Sequence, residues 1–195
     1  MDELIKDIIY SSIKNLFQNQ PDIFVNTRYT NFTEWNLNYH LSNEIAKYIF
    51  WLNVDLDVSK RNYNNRRPDI IFHKRRTNSL NYLVVELKKS ENDNQSDICK
   101  LKEDWMREPL NYRYGAYINI WGKDNFKAIV LINGERQEVN DSCKYIPVPS
   151  VSKILLTEYN IFTSNIIQKK MKANLLDNLI LETYERRSLN YKKQM

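Results

Sequence analysis

Glycine is nearly missing from this chain, with three residues in 195. That excludes the glycine-rich loops that let a backbone close around a phosphate. Histidine and cysteine are equally scarce, at two each. His40 and His73 have no metal-like spacing and are given no catalytic role. Cys99 and Cys143 fit no zinc pattern, so reduced thiols and a cytoplasmic protein are expected. Long apolar runs are absent too. The longest aliphatic stretch, Ala128 to Ile132, is about five residues, against the roughly 20 that a membrane span needs. The acidic start, Met1 to Asp7, lacks the basic and apolar regions of a secretory signal. No internal repeat or low-complexity tract is found. What the chain does have is core material: 42% apolar residues, with 13 Tyr, 7 Phe and 4 Trp, which excludes disorder. A chain of this length can bury roughly 70% of its unfolded surface.

The net charge of +5 is unevenly spread. Lys60 to Arg76 holds seven bases (Lys60, Arg61, Arg66, Arg67, Lys74, Arg75 and Arg76) and one acid, Asp69, a local +6. Lys169 to Met195 carries +4, which leaves −5 for the remainder. A mildly acidic body with two basic stretches suits local contact with phosphates, and equally suits two solvated loops.

Helical spacing of apolar residues marks 3–17, and again a stripe of Leu37, Leu41, Ile45, Tyr48, Ile49 and Leu52 behind a Thr33 N-cap. Strands are expected at 53–58, 69–72, 82–88, 112–121 and 126–132, with a helix over 97–107. Tyr112, Tyr114, Ala116, Ile118 and Ile120 should share one strand face, and Trp35, Trp51, Trp105 and Trp121 are read as core. The strand, helix, strand run requires a parallel pair. The expected fold is a mixed sheet flanked by helices, an α/β sandwich over residues 1–148, with a helical appendage over 149–195.

Within this pattern some charges are out of place. Glu86 and Lys88 interrupt an apolar strand at i and i+2, and so share a face. Asp69 opens another apolar strand. Such charges cost several kcal/mol each unless paired or metal-bound. If the strands are neighbours, two carboxylates and one ammonium converge. A buried salt bridge is one reading of that set. The other is a Mg²⁺ or Mn²⁺ site, where the ion makes a water more acidic and offsets charge on phosphoryl oxygens. A lysine there can orient the water, act as base if its pKa is depressed, or steady the transition state. Glu34 falls in the middle of the core-facing stripe at a helix N-terminus, where the dipole favours an anion. Glu44 falls on the edge of that stripe.

Pro68-Asp69, a 16-residue interval and Glu86-Leu87-Lys88, with flanking helices in the same order, resemble the PD-(D/E)XK nuclease superfamily over roughly Thr33 to Trp121. The segments Arg67 to Lys74, Asn81 to Lys89 and Asp97 to Leu101 also resemble a group of small uncharacterised members. The resemblance implies a restriction-endonuclease-like αβββαβ core. It further implies Asp69, Glu86 and the backbone carbonyl of Leu87 as metal ligands, Lys88 as catalytic lysine and Glu34 as assisting acid. Asp97 and Glu44 are candidates to support the site from behind. Arg66, Arg67 and Lys100 are candidates for phosphate contact, although Asp97 and Lys100 also read as a plain i, i+3 surface pair. The implied activity is Mg²⁺-dependent phosphodiester hydrolysis, in DNA rather than RNA. The alternatives are an inactive scaffold that binds nucleic acid or protein, and a subunit of a homodimer or larger complex docked through its terminal helices.

Overall fold

The computed structural model describes residues 2–25, 31–59 and 66–148. The expected appendage over 149–195 lies outside the described residues, as does the boundary proposed for it.

The first helical stripe becomes α1 (Asp2–Asn19), which buries Ile5, Ile8, Ile9, Ile13, Leu16 and Phe17. A short 3-10 turn, Pro21–Phe24, follows. The second stripe becomes α2 (Glu34–Ala46), capped as expected by Thr33, whose hydroxyl accepts from the Asn36 amide at 3.2 Å. All six stripe residues from Leu37 to Leu52 are buried.

Six strands follow: β1 (Asn53–Leu56), β2 (Ile70–His73), β3 (Asn81–Lys88), β4 (Tyr114–Gly122), β5 (Asn125–Ile132) and β6 (Glu135–Val139). They form one sheet in chain order, antiparallel throughout except for the parallel pair β3 and β4. The connection between that pair carries α3 (Gln95–Lys100), which continues directly into a π-helical turn, Leu101–Trp105. The expected helix over 97–107 is therefore an α-helix of under two turns with a widened end.

Alternation in the central strands divides the core between two faces. Leu83, Val85 and Leu87 of β3, and Tyr114, Ala116, Ile118 and Ile120 of β4, pack with α1 and α2. Ile71, Val84, Tyr117, Ile129 and Leu131 pack on the opposite face with Ile98, Leu101 and Trp105. Tyr112 joins this second cluster, so it does not share a face with Tyr114 as its spacing suggested; it precedes β4, where strict alternation has not begun. Gly115 is what lets the helical layer approach. A Cβ there would stand 3.0 Å from Met106 Sδ and 3.4 Å from Leu101 Cβ.

Two features escaped the sequence reading. Strand β6 is polar in four of its five residues, Glu-Arg-Gln-Glu-Val, and owes its conformation to pairing with β5. The signal for it is the preceding Asn133-Gly134, both at positive φ, a dipeptide suited to a tight hairpin turn. At the other edge, Asp55 of β1 is clasped by His73 Nε2 at 2.8 Å and by the Arg75 guanidinium. Burial pushes the Asp55 carboxyl up, but these two partners outweigh it and hold the group below its ordinary range.

Among the described residues no helix is long and apolar enough to cross a membrane.

Candidate functional site

The antiparallel register pairs Ile70 with Val85. One step further brings Asp69, just ahead of β2, opposite Glu86 of β3. Directly opposed residues stand roughly 5 Å apart at Cβ with side chains on the same face. That face is the one covered by α3, since Glu86 and Lys88 continue the alternation of Val84. The strands that the sequence left conditionally adjacent are thus neighbours, and the charge of Asp69 acts on Glu86.

Each group is held by specific partners. Asp69 Oδ2 accepts from the backbone amide of Leu87 at 2.7 Å. Glu86 is 5% exposed, and its Oε1 accepts from the Trp105 indole at 3.0 Å. Lys88 Nζ donates to Glu34 Oε1 at 3.2 Å and stands 3.7 Å from Asp97 Oδ2. The other oxygen of Glu34 accepts from the Lys89 amide at 3.4 Å. So α2 presents its first residue to the end of β3, and α3 presents its first turn to the same place.

Asp97 is 1% exposed. It accepts from Asn94 Nδ2 at 2.7 Å and pairs with Lys100, as well as facing Lys88. The i, i+3 pair exists, but it is not a surface pair: burial and the contact to Lys88 make Asp97 part of the cluster. Lys100 is joined to the cluster through Asp97.

The remaining sequence candidates sit elsewhere. Glu44 is buried, with its carboxylate bound by Asn19 Nδ2 at 3.2 Å and Lys47 Nζ at 2.6 Å, so it supports the contact between α1 and α2 and not the Asp69 group. Its edge position on α2 turned out to face α1. Arg66 pairs with Asp104 of the π turn, and Arg67 is 3.5 Å from Asp57. Both arginines are engaged within the fold. The tryptophans divide as well. Trp51 and Trp105 are core, Trp121 is partly exposed, and Trp35 is 65% exposed. Trp35 is a helix residue, but it lies off the buried Leu37 stripe.

Sequence reasoning missed Trp105 and Asn119 as parts of the site. Trp105 was legible, because a buried glutamate requires a donor and the indole N–H is the polar atom on the apolar side of the following helix. Asn119 carries the same signal as Glu86, a polar residue inside an apolar strand. It is fully buried, pairs in register with Lys88, and its amide donates to Asn92 O and Asp93 Oδ1, both at 3.3 Å. The loop ahead of α3, and with it Asp97, is set by that asparagine and by the Tyr117 hydroxyl, which accepts from the Asn94 amide at 2.7 Å.

The electrostatics follow from this crowding. Four carboxylates, Glu34, Asp69, Glu86 and Asp97, meet two ammonium groups, Lys88 and Lys100, so full ionisation leaves two negative charges in excess. Burial, and next the charge of Asp69, push Glu86 up to about 8. Burial also raises Asp69, with Glu34 and Asp97 adding to the effect, while the Leu87 amide and Lys88 oppose it. Burial alone would pull Lys88 down, but its hydrogen bond to Glu34 and the charges of Glu34, Asp69 and Asp97 prevail and raise it. Lys88 is accordingly an ammonium at neutral pH, and its role as a base loses its physical ground.

Among the described residues no group of three or more His, Cys, Asp or Glu side chains forms a ready metal cage. Magnesium needs none: one or two carboxylates, waters and substrate phosphates suffice. The residues present fit a divalent cation in that mode. Asp69 and Glu86 are hard oxygen donors side by side, and the strain in their ionisation is what a doubly charged ion would relieve.

Comparison with known proteins finds no family model, no curated protein and no solved structure that matches this chain.

Proposed function

We propose that the chain is a metal-dependent nuclease of the PD-(D/E)XK type, hydrolysing phosphodiester bonds in polynucleotides, with DNA as the first substrate to test. The observation that carries this reading is the meeting of Asp69 and Glu86 across β2 and β3, with Lys88 beside them held between Glu34 and Asp97. The order α2, β1, β2, β3, α3, β4 also agrees with the expected restriction-endonuclease-like core.

Asp69 and Glu86 would hold Mg²⁺ or Mn²⁺, with the Leu87 carbonyl as a third donor. A cation there would acidify a water and offset charge on the phosphoryl oxygens. Lys88 remains protonated and supplies a positive hydrogen-bond donor to the oxygens on which charge builds. Glu34 keeps that ammonium in place from the N-terminus of α2, and Asp97 does so from α3. An ion pair serving stability alone would need one carboxylate for Lys88, whereas this lysine is shared by two, and among the described residues no cation pairs directly with Glu86.

Incubation with plasmid DNA, single-stranded DNA and RNA, each with Mg²⁺, Mn²⁺ or EDTA, tests the proposal. Cleavage should require the metal and fall by at least about a hundredfold in Lys88→Ala, in line with the loss of one transition-state donor. Metal-dependent cleavage that persists unchanged in Lys88→Ala would place the activity at another site.

A further inference from the structure

Beside this site lies a surface that the reading above leaves unused. Trp35 immediately follows Glu34 and is 65% exposed; Tyr39, one helical turn later on the same face of α2, is 48% exposed. At these exposures each ring keeps roughly 100–150 Å² of largely apolar surface that a partner could cover. Helical side chains lean toward the N-terminus and cover the turn before their own Cα. In α2 that direction runs toward Thr33 and Glu34, where Lys88 and Lys89 are held. The ring of His40 stands edge-on to Tyr39 at 5.1 Å, which limits the freedom of the tyrosine before anything binds. Between the two rings the helix carries Asn36, Asn38 and the buried Leu37, and Glu34 and His40 stand on either side of them.

We propose that Trp35 and Tyr39 form a stacking platform for unpaired bases of a polynucleotide strand that enters the Asp69–Glu86 site. The inference deepens the nuclease reading and rests on it: it names single-stranded nucleic acid, or a frayed end, as the substrate class. Size argues for bases over a protein partner. Two rings, half to two-thirds exposed, offer on the order of 200–300 Å², well below the roughly 800 Å² per side of a stable protein interface. The same area accommodates one or two stacked bases. Their flat faces are found in every base, so the platform would be tolerant of sequence. A duplex keeps its bases stacked on one another and has no free face to offer.

The test measures binding apart from cleavage. The full chain is titrated against a short fluorescein-labelled oligothymidylate and against a duplex of equal length, in EDTA and again in Ca²⁺. The single strand should bind more tightly than the duplex and quench tryptophan emission. Trp35→Ala and Tyr39→Ala should each weaken single-strand binding roughly five- to a hundredfold, with little effect on the duplex. Trp35→Phe should retain most of the affinity and lose the quench. Both positions are exposed, so circular dichroism and thermal melting should be unchanged in all three variants. Wild-type affinity in both alanine variants, or equal binding of single strand and duplex, overturns the platform. So does a wild-type dimer that Trp35→Ala converts to a monomer, because the face would then belong to a second protein copy. The two readings fail separately. Loss of binding in the alanine variants with no metal-dependent cleavage by the wild type would keep the platform and remove the nuclease. Cleavage that depends on Lys88 but is indifferent to Trp35 and Tyr39 would do the reverse.

Discussion

A carboxylate that is 5% exposed on a strand face can persist in three ways: protonated, paired with a cation, or bound to a metal. Glu86 has a neutral donor, the Trp105 indole, and a like charge, Asp69, so the metal-free protein favours its protonated form up to about pH 8. Lys88, two residues on, is in the opposite position, with two acids for one ammonium. Both residues of this strand face thus lean toward the protonated form, Glu86 as a neutral acid and Lys88 as a cation, and a metal ion at Glu86 would instead favour its carboxylate. Tyr112 has the same buried setting without a compensating partner. It is 2% exposed, its hydroxyl has no hydrogen-bond partner among the described residues, and burial together with the charge of Asp55 raises it well above the ordinary phenol range. An unpaired buried hydroxyl costs about 1 kcal/mol or more, so Tyr112→Phe should raise Tm by about 2–4 °C. Calorimetry on the purified variant checks this, and a fall in Tm would mean the hydroxyl is satisfied after all.

At the scale of elements, the π turn Leu101–Trp105 decides more than the short α3 before it. Widening the helix by one residue brings Trp105 Nε1 to Glu86, while Leu101 and Met106 settle against the bare backbone of Gly115. Such insertions often coincide with functional sites. Trp105→Phe keeps most of the packing and removes the donor. On the nuclease proposal, cleavage should fall roughly ten- to a hundredfold, the range for a hydrogen bond to a charged group, and the loss should appear in kcat more than in KM. The pH at which activity rises should also move upward, since Glu86 would lose the partner that lowers its pKa. An unchanged pH profile would assign Trp105 to packing alone. Elements with strong periodicity were readable in advance: the Leu37 stripe of α2 and the apolar run of β3 sit where their spacing puts them. Strand β6 was not, because its side chains are polar and its conformation comes from the hydrogen bonds of β5. The π turn was equally hidden, since the apolar positions of 97–107 suit an ordinary helix and only the close approach at Gly115 makes the wider turn fit.

In the whole molecule, a six-stranded sheet carries helices on both faces, and the candidate site lies where the end of β3 meets the first turns of α2 and α3. Three separately packed elements must therefore agree for four carboxylates to converge. This makes site charge a term in global stability. Glu86 has a folded pKa raised above its unfolded value of about 4.3, so its contribution is complete below that value and is lost as pH climbs toward 8. In EDTA, the Tm of Glu86→Gln relative to wild type should accordingly improve between pH 5 and pH 8. Addition of Mn²⁺ at pH 8 should raise the wild-type Tm and leave Glu86→Gln nearly unmoved. Differential scanning fluorimetry reads both effects, and equal metal shifts in the two proteins would exclude Glu86 as a ligand.

Three charges on apolar strands, one of them the lone acid of a basic stretch, were enough to select Asp69, Glu86 and Lys88 as the residues of interest. Local periodicity fixes which face each one occupies, and free energy makes a charge on a buried face conspicuous. The bonds of Arg66, Arg67 and Glu44 could not be read in the same way, because their partners Asp104, Asp57 and Asn19 come from elsewhere in the fold. Nor could the exposure of Trp35, which depends on how the rest of the fold packs around α2. Which residues are chemically unusual is a local property of the chain. Which of them meet is decided by strand register and helix packing, and these exist only once the sheet has formed.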